Sequence, residues 1–194
     1  MRITGGVWRS RRLAGPRAGQ PIRPTPDALR ERAFAVLGRA VEDAAVLDLF
    51  AGTGAVGLEA LSRGASRVVF VDGHRTAAAI IRRNLESLQV PGRRWRILVQ
   101  PAGRAVARLA REGERFELAW ADPPFEAWKL GLDALAQAWR QGVLAPGAVA
   151  CLECPAGIAV TEALPPALKV SRELAGGASR LLLLELATPG QAEP

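Results

Sequence analysis

Short apolar runs recur along this chain, separated by longer stretches whose apolar positions fall three or four residues apart, and that alternation predicts strands joined through helices. The spacing predicts strands near 45–50, 67–72, 95–99, 117–121, 147–153, 168–174 and 179–187, with helices near 55–63, 75–88, 102–111 and 127–141 in the crossovers. Only Ala175-Gly176-Gly177-Ala178 separates the last two runs. Four residues are too few for a helical crossover, so those two strands form an antiparallel hairpin while the others run parallel. The fold class that follows is α/β: a doubly wound, mostly parallel, seven-stranded sheet ending in an antiparallel hairpin.

Ahead of the sheet the pattern changes. Residues 1–24 read as an extended arm rich in Gly and Arg. Thr25 then caps a helix with Pro26 in its first turn and Asp27 complementing the helix dipole. Leu29, Ala33 and Leu37 form the inner stripe of that helix, with Arg30 and Arg32 facing outward. The chain therefore divides into an arm and helix over 1–39, a catalytic-type domain over 40–187, and a polar tail over 188–194 expected to fray.

Composition narrows the class. A chain of 194 residues suits one α/β domain and is too short for a dehydrogenase with a separate substrate domain. No run approaches the roughly 18 uninterrupted apolar residues of a membrane span, and Met1-Arg2-Ile3-Thr4-Gly5-Gly6 lacks a signal-peptide core, so a cytoplasmic monomer away from membranes is expected. The net charge of +7 is concentrated: residues 1–39 hold nine Arg against Asp27 and Glu31, which is +7, leaving 17 basic and 17 acidic side chains in the remainder. A basic arm on a neutral domain points to a polyanion, with Trp8 beside Arg9, Arg11 and Arg12 as a stacking group, and nucleic acid is the natural partner. Cys151 and Cys154 form a C-x-x-C without a second pair, and His74 is the one histidine, so the sequence offers no zinc set and no metal is expected.

Two segments carry chemistry. The first is Val46-Leu47-Asp48-Leu49-Phe50-Ala51-Gly52-Thr53-Gly54-Ala55-Val56-Gly57, an apolar strand entering a G-x-G-x-x-G turn that opens a helix. Such glycines bring backbone close to a ligand and aim amides at it. The strand Arg67 to Val71 ends on Asp72, where ribose hydroxyls are gripped in nucleotide folds. A nicotinamide dinucleotide and S-adenosylmethionine both suit this arrangement. Asp48, just before the loop, disfavours a pyrophosphate and suits an amino-acid ammonium, which favours the methyl donor.

The second segment is Asp122-Pro123-Pro124-Phe125, at the end of the apolar run Phe116 to Ala121. An amine conjugated to a ring or carbonyl is a poor nucleophile. An Asp122 oxygen and the Pro123 carbonyl are acceptors for its N–H groups, Pro124 removes a competing donor, and Phe125 offers a flat face for a planar group. The tetrapeptide alone does not separate adenine, guanine or glutamine.

Taken together, Arg2-Ile3-Thr4-Gly5-Gly6-Val7-Trp8-Arg9, Arg11-Arg12-Leu13, Arg23-Pro24-Thr25-Pro26-Asp27, the stretch from Asp48 to Ala65 and Asp122-Pro123-Pro124-Phe125 make the chain resemble a bacterial family often called RsmD. Its enzymes methylate the N2 amine of one guanine in 16S ribosomal RNA. The resemblance implies a Rossmann-like class I methyltransferase fold with S-adenosylmethionine over the loop Phe50, Ala51, Gly52, Thr53 and Gly54. Asp72 would lie on the ribose, Asp48 near the methionine end, and Gln100 or Ala102 at the adenine, with Gly73 and Asp122 also contacting the cofactor and the Thr25 region closing the pocket as a lid. It implies 16S rRNA, in a 30S subunit or an assembly intermediate, held by Arg9, Arg11, Arg12, Arg23 and Arg30. Three positions depart from the family pattern: Pro101 follows Gln100 where an acid or amide is frequent, Asp72 replaces a commoner Glu, and His74 a frequent Asp. The rival readings are DNA adenine-N6 methylation, glutamine methylation of a release factor, and a non-catalytic RNA-binding assembly factor. The first two usually carry a recognition insertion or a helical N-terminal domain, and neither is visible here.

Overall fold

The computed structural model describes residues 1–16 and 27–187. Seven strands form one sheet in the order β3-β2-β1-β4-β5-β7-β6: β1 Ala45–Leu49, β2 Arg67–Asp72, β3 Trp95–Val99, β4 Phe116–Ala121, β5 Leu144–Pro155, β6 Leu168–Gly176 and β7 Ser179–Leu186. Strands β1 to β5 are parallel, whereas β7 runs antiparallel to both β5 and β6. The expected α/β class, the seven strands and the terminal hairpin are all present. Five helices accompany them among the described residues: α1 Asp27–Leu37, α2 Ala55–Ser62, α3 Arg75–Ser87, α4 Ala102–Arg111 and α5 Trp128–Arg140.

The apolar strands are buried on both faces because helices cover both. One face packs Val46, Val68, Phe70, Trp120 and Leu183 against residues of α1, α2 and α3. The other packs Leu47, Leu49, Val69, Val71 and Ala119 against residues of α4 and α5, including Val106, Leu109 and Leu135. Helix α1 is held to its face by Phe34, whose ring stacks on Trp120 at 6.0 Å between centroids. Helix α2 lies so close to the sheet that a Cβ on Gly57 would stand 2.3 Å from Phe70 Cε1, so the third loop glycine is a packing requirement.

Two expectations are corrected. Residues 1–16 are not an extended arm: they fold back on themselves through a 3₁₀ turn at Gly6–Trp8 and an antiparallel bridge between Arg2 and Arg12, burying Ile3 and Leu13. This folded segment covers α2, which explains why all eight residues of that helix are buried. The contact is polar and specific. The Glu59 carboxylate accepts the Thr4 amide at 2.8 Å, the Thr4 hydroxyl at 2.8 Å and the Gly5 amide at 2.7 Å, while Ser62 accepts the Trp8 amide and donates to the Gly5 carbonyl. Gly6 has φ of 75° and its Cβ would fall 1.9 Å from the Ser62 carbonyl oxygen, so only glycine permits the approach.

Arg30 is the second correction. It does not face outward; it is fully buried, with its Nε donating to Glu59 at 3.3 Å and its Nη2 to Asp27 at 2.9 Å and to the Arg2 carbonyl. A guanidinium enters a core only when acceptors meet it there. Those acceptors come largely from α2 and the folded segment, far away in sequence, so helical periodicity within α1 gives no sign of them. Arg32 does face solvent. Thr25, Pro26 and the tail 188–194 lie outside the described residues.

Candidate active site

The order of strands changes direction between β1 and β4, and in open α/β sheets the crevice at the carboxyl ends of such neighbours receives ligands. Phe50 follows β1 and Asp122 follows β4, with the Asp122 amide donating to the Leu49 carbonyl at 3.4 Å. A cavity of about 800 Å³ opens here. Its walls include Phe50, Gly52, Asp72, Gly73, Ala102 and the whole of Asp122-Pro123-Pro124-Phe125. The two segments singled out in the sequence, 70 residues apart at Gly52 and Asp122, thus share one chamber.

Backbone geometry shapes the entrance. Phe50 holds φ of 60°, a conformation that a bulky residue adopts only where its surroundings over-determine it, and it lines the cavity. Asp72 is fixed by two amides, from Gly52 to Oδ2 at 2.9 Å and from His74 to Oδ1 at 2.8 Å. A carboxylate has about four acceptor positions, so each oxygen keeps capacity for a further donor. His74 is exposed and precedes α3. Phe125 opens a short 3₁₀ turn, Phe125–Ala127, that leads into α5.

The remaining sequence-derived residues are distributed as follows. Ala51, Thr53 and Gly54 complete the loop without standing in the cavity wall. Asp48 is 1% exposed, lies behind the loop and accepts the Gly57 amide at 3.0 Å. Burial, opposed by that amide and reinforced by the nearby charge of Asp72, pushes its carboxyl up to about 7. Gln100 lies in a separate depression with Arg104 and Arg108, leaving Pro101, Ala102 and Gly103 to form that side of the cavity. Arg9, Arg11 and Arg12 are exposed on the folded segment, although Arg11 also donates to the Ser87 carbonyl. Arg23 and Thr25 fall outside the described residues. Cys151 and Cys154 are buried free thiols on β5, and burial raises the pKa of both.

Sequence reading missed two walls, of which α5 forms one with Leu130, Asp133, Ala134 and Gln137. Glu153, next to the end of β5, and Gly176, Ala178 and Ser179 at the β6–β7 turn also line the cavity. The signal was present: Glu153 is an acid near the carboxyl end of a strand, the same criterion that selected Asp72. Asn84, the one asparagine, was missed as well. It exchanges hydrogen bonds with the backbone of Ala14 at 2.7 and 3.1 Å and donates to the Thr53 carbonyl at 3.0 Å, tying the folded segment to the glycine loop.

Comparison with known proteins places this geometry in context. A family model described as Conserved hypothetical protein 95 matches residues 1–184. The Ribosomal RNA small subunit methyltransferase D of Escherichia coli (strain K12) is 38% identical over 125 residues, covering 64% of this chain and 60% of that protein. The chain thus spans less than two thirds of that relative in the matched region. The Haemophilus influenzae protein of the same name is 30% identical over 153 residues, 79% of this chain and 78% of that one. A solved structure of a hypothetical protein from Thermus thermophilus superposes with a TM-score of 0.75 at 28% identity, covering 96% of this chain and 99% of the other.

Proposed function

This chain belongs to the family described as Conserved hypothetical protein 95, and from that premise we propose that it is an S-adenosylmethionine-dependent methyltransferase acting on the N2 amine of a guanine in 16S ribosomal RNA. The observation that carries this reading is the single chamber in which the glycine loop and Asp72 face Asp122-Pro123-Pro124-Phe125. Two relatives named as small-subunit ribosomal RNA methyltransferases support the substrate class.

The residues fit the cofactor. The volume of about 800 Å³ lies within the roughly 300–1,000 Å³ of ligand sites. Asp72 retains acceptor capacity for ribose hydroxyls, Phe50 and Ala102 offer apolar walls to an adenine, and the Gly52 and Gly73 backbone closes around the nucleoside. When bound, S-adenosylmethionine supplies a methyl group activated by a sulfonium.

Everything else is the work of this chain. A guanine leaves its stack and enters beside Phe125, whose ring supports the base. Asp122 and the Pro123 carbonyl accept hydrogen bonds from the two N2 N–H groups, turning the lone pair out of the ring plane. Positive charge then develops on nitrogen next to acceptors already in place, which lowers the barrier without reorganisation. Asp122 or water takes the released proton. Exposed Arg9, Arg11 and Arg12 contact phosphates outside the cavity.

The test uses small ribosomal subunits, and naked 16S rRNA, from a strain lacking the enzyme. Purified protein with labelled S-adenosylmethionine should place one methyl on guanine N2, mapped by nuclease digestion and mass spectrometry; a methyl on adenine or on protein refutes the reading. Asp122→Ala should slow transfer by about 10²–10³-fold or more, while cofactor affinity by calorimetry stays within a few-fold. Near-wild-type turnover of that variant would also defeat it.

A further inference from the structure

Strand register puts a second carboxylate beside Asp122. Ala121 pairs with Leu152 across β4 and β5, so the next residues, Asp122 and Glu153, stand side by side. Side chains alternate along strands. Trp120 and Cys151, two residues earlier, belong to the core under α1, and Asp122 and Glu153 therefore fall on that same face. Glu153 is 4% exposed and lines the cavity together with Asp122, Pro123 and Ser179.

The chemistry of this pair distinguishes bases. Guanine presents two neighbouring donors, N1–H and the N2 amine, whereas adenine presents an amine beside an N1 acceptor. Flipped bases are read by hydrogen bonds to this edge. An ionised carboxylate can only accept. We propose that Glu153 is the specificity-determining residue of the cavity, accepting guanine N1–H while Asp122 and the Pro123 carbonyl hold the N2 amine. Adenine in the same place would set its N1 lone pair against the carboxylate, and a buried acceptor facing an acceptor is strongly disfavoured. The pair thus supplies the choice of base that Asp122-Pro123-Pro124-Phe125 does not make. This inference rests on the guanine-N2 reading above.

The experiment compares guanine with 2-aminopurine, which keeps the N2 amine and replaces N1–H by an acceptor. Both are placed at the mapped target position in reconstituted small subunits, and methyl transfer is measured with wild type, Glu153→Gln and Glu153→Ala. Wild type should favour guanine by roughly 10–100-fold. Glu153→Gln keeps an acceptor for guanine N1–H and gains an amide donor for the 2-aminopurine N1, so it should bring the preference toward parity, and Glu153→Ala, with no acceptor, should lose the preference together with much of the activity on guanine. Cofactor affinity within a few-fold of wild type certifies that each variant is folded. Equal use of both bases by wild type, or an unchanged preference in Glu153→Ala, overturns the role of Glu153 while leaving guanine-N2 methylation standing. Absence of any transfer to guanine by wild type overturns the reading beneath it, and this inference with it.

Discussion

The seam between residues 1–16 and α2 and the cavity at the strand ends are both built around carboxylates, and they use them in opposite ways. At the seam, Glu59 accepts five hydrogen bonds: from the Thr4 amide and hydroxyl, the Gly5 amide, Arg30 Nε and Arg63 Nε. That exhausts the roughly four lone-pair positions of a carboxylate, with one shared. In the cavity, Asp72 accepts two amides and keeps capacity on both oxygens. A saturated buried carboxylate fixes the fold, whereas one with spare acceptors on a cavity wall is available to a ligand. Asp48 stands between these cases, buried like Glu59 but with the Gly57 amide as its hydrogen-bond donor and no place in the cavity wall.

The seam should give way first when its carboxylate is removed. Glu59→Ala takes one acceptor from Arg30, which is buried, and leaves three donors of Thr4 and Gly5 without their acceptor. Breaking a buried ion pair from one side costs about 3–5 kcal/mol, so the urea midpoint should fall sharply. Amides of Thr4 and Gly5 should lose their protection from hydrogen exchange. A loss below about 1 kcal/mol, the scale of a surface pair, would show that the seam is held by its apolar contacts instead.

Asp48 makes the same comparison depend on pH. Its carboxyl rises from 3.8 to about 7 on folding, chiefly through burial. The folded protein therefore holds the proton more tightly than the unfolded chain, so the contribution is fully present below about pH 4 and is lost as pH rises through about 7. At about 1.4 kcal/mol for each unit of difference, the decline across that window is on the order of 4 kcal/mol. Asp48→Asn retains an acceptor for the Gly57 amide and removes the charge. Unfolding free energies of wild type should drop between about pH 4 and about pH 8 by that amount, and those of the variant should stay nearly level. Parallel curves would place the titration elsewhere.

The seam and the cavity were not equally legible in the sequence. Both motifs of the cavity could be found because each sits where an apolar run ends, and strand ends are visible in hydrophobic periodicity. The glycine loop and Asp122-Pro123-Pro124-Phe125 needed only the sheet to bring them together. Glu59 and Arg30 were opaque for the opposite reason. Each lies within a helix whose local pattern is compatible with solvent, and the partner that buries it is 29 residues away. The fold-back of residues 1–16 was hidden in the same way: its determinants are Ser62, Asn84 and Glu59, none of which is near it in sequence. Glu153 was legible in principle, but it lies inside the C-x-x-C of Cys151 and Cys154, a spacing that suggests metal chemistry rather than an acid at a strand end.

The smallest effect separates arginines that the sequence grouped together. Residues 1–39 carry the whole net charge of +7, yet Arg30 spends its charge inside the protein, on Glu59 and Asp27, while Arg9 and Arg12 are exposed on the folded segment. Counterion release makes RNA affinity fall with salt in proportion to the phosphates contacted, by about 0.7–0.9 in the logarithmic slope for each. If Arg9 and Arg12 meet phosphates, replacing both with Ala should lower that slope by roughly 1.4–1.8, measured by fluorescence anisotropy between roughly 50 and 200 mM salt. Arg30→Ala should leave the slope unchanged and lower the unfolding free energy instead. An unchanged slope in the Arg9 and Arg12 variant would exclude these two arginines from the proposed RNA contact, because a side chain that releases no counterion on binding makes no phosphate contact.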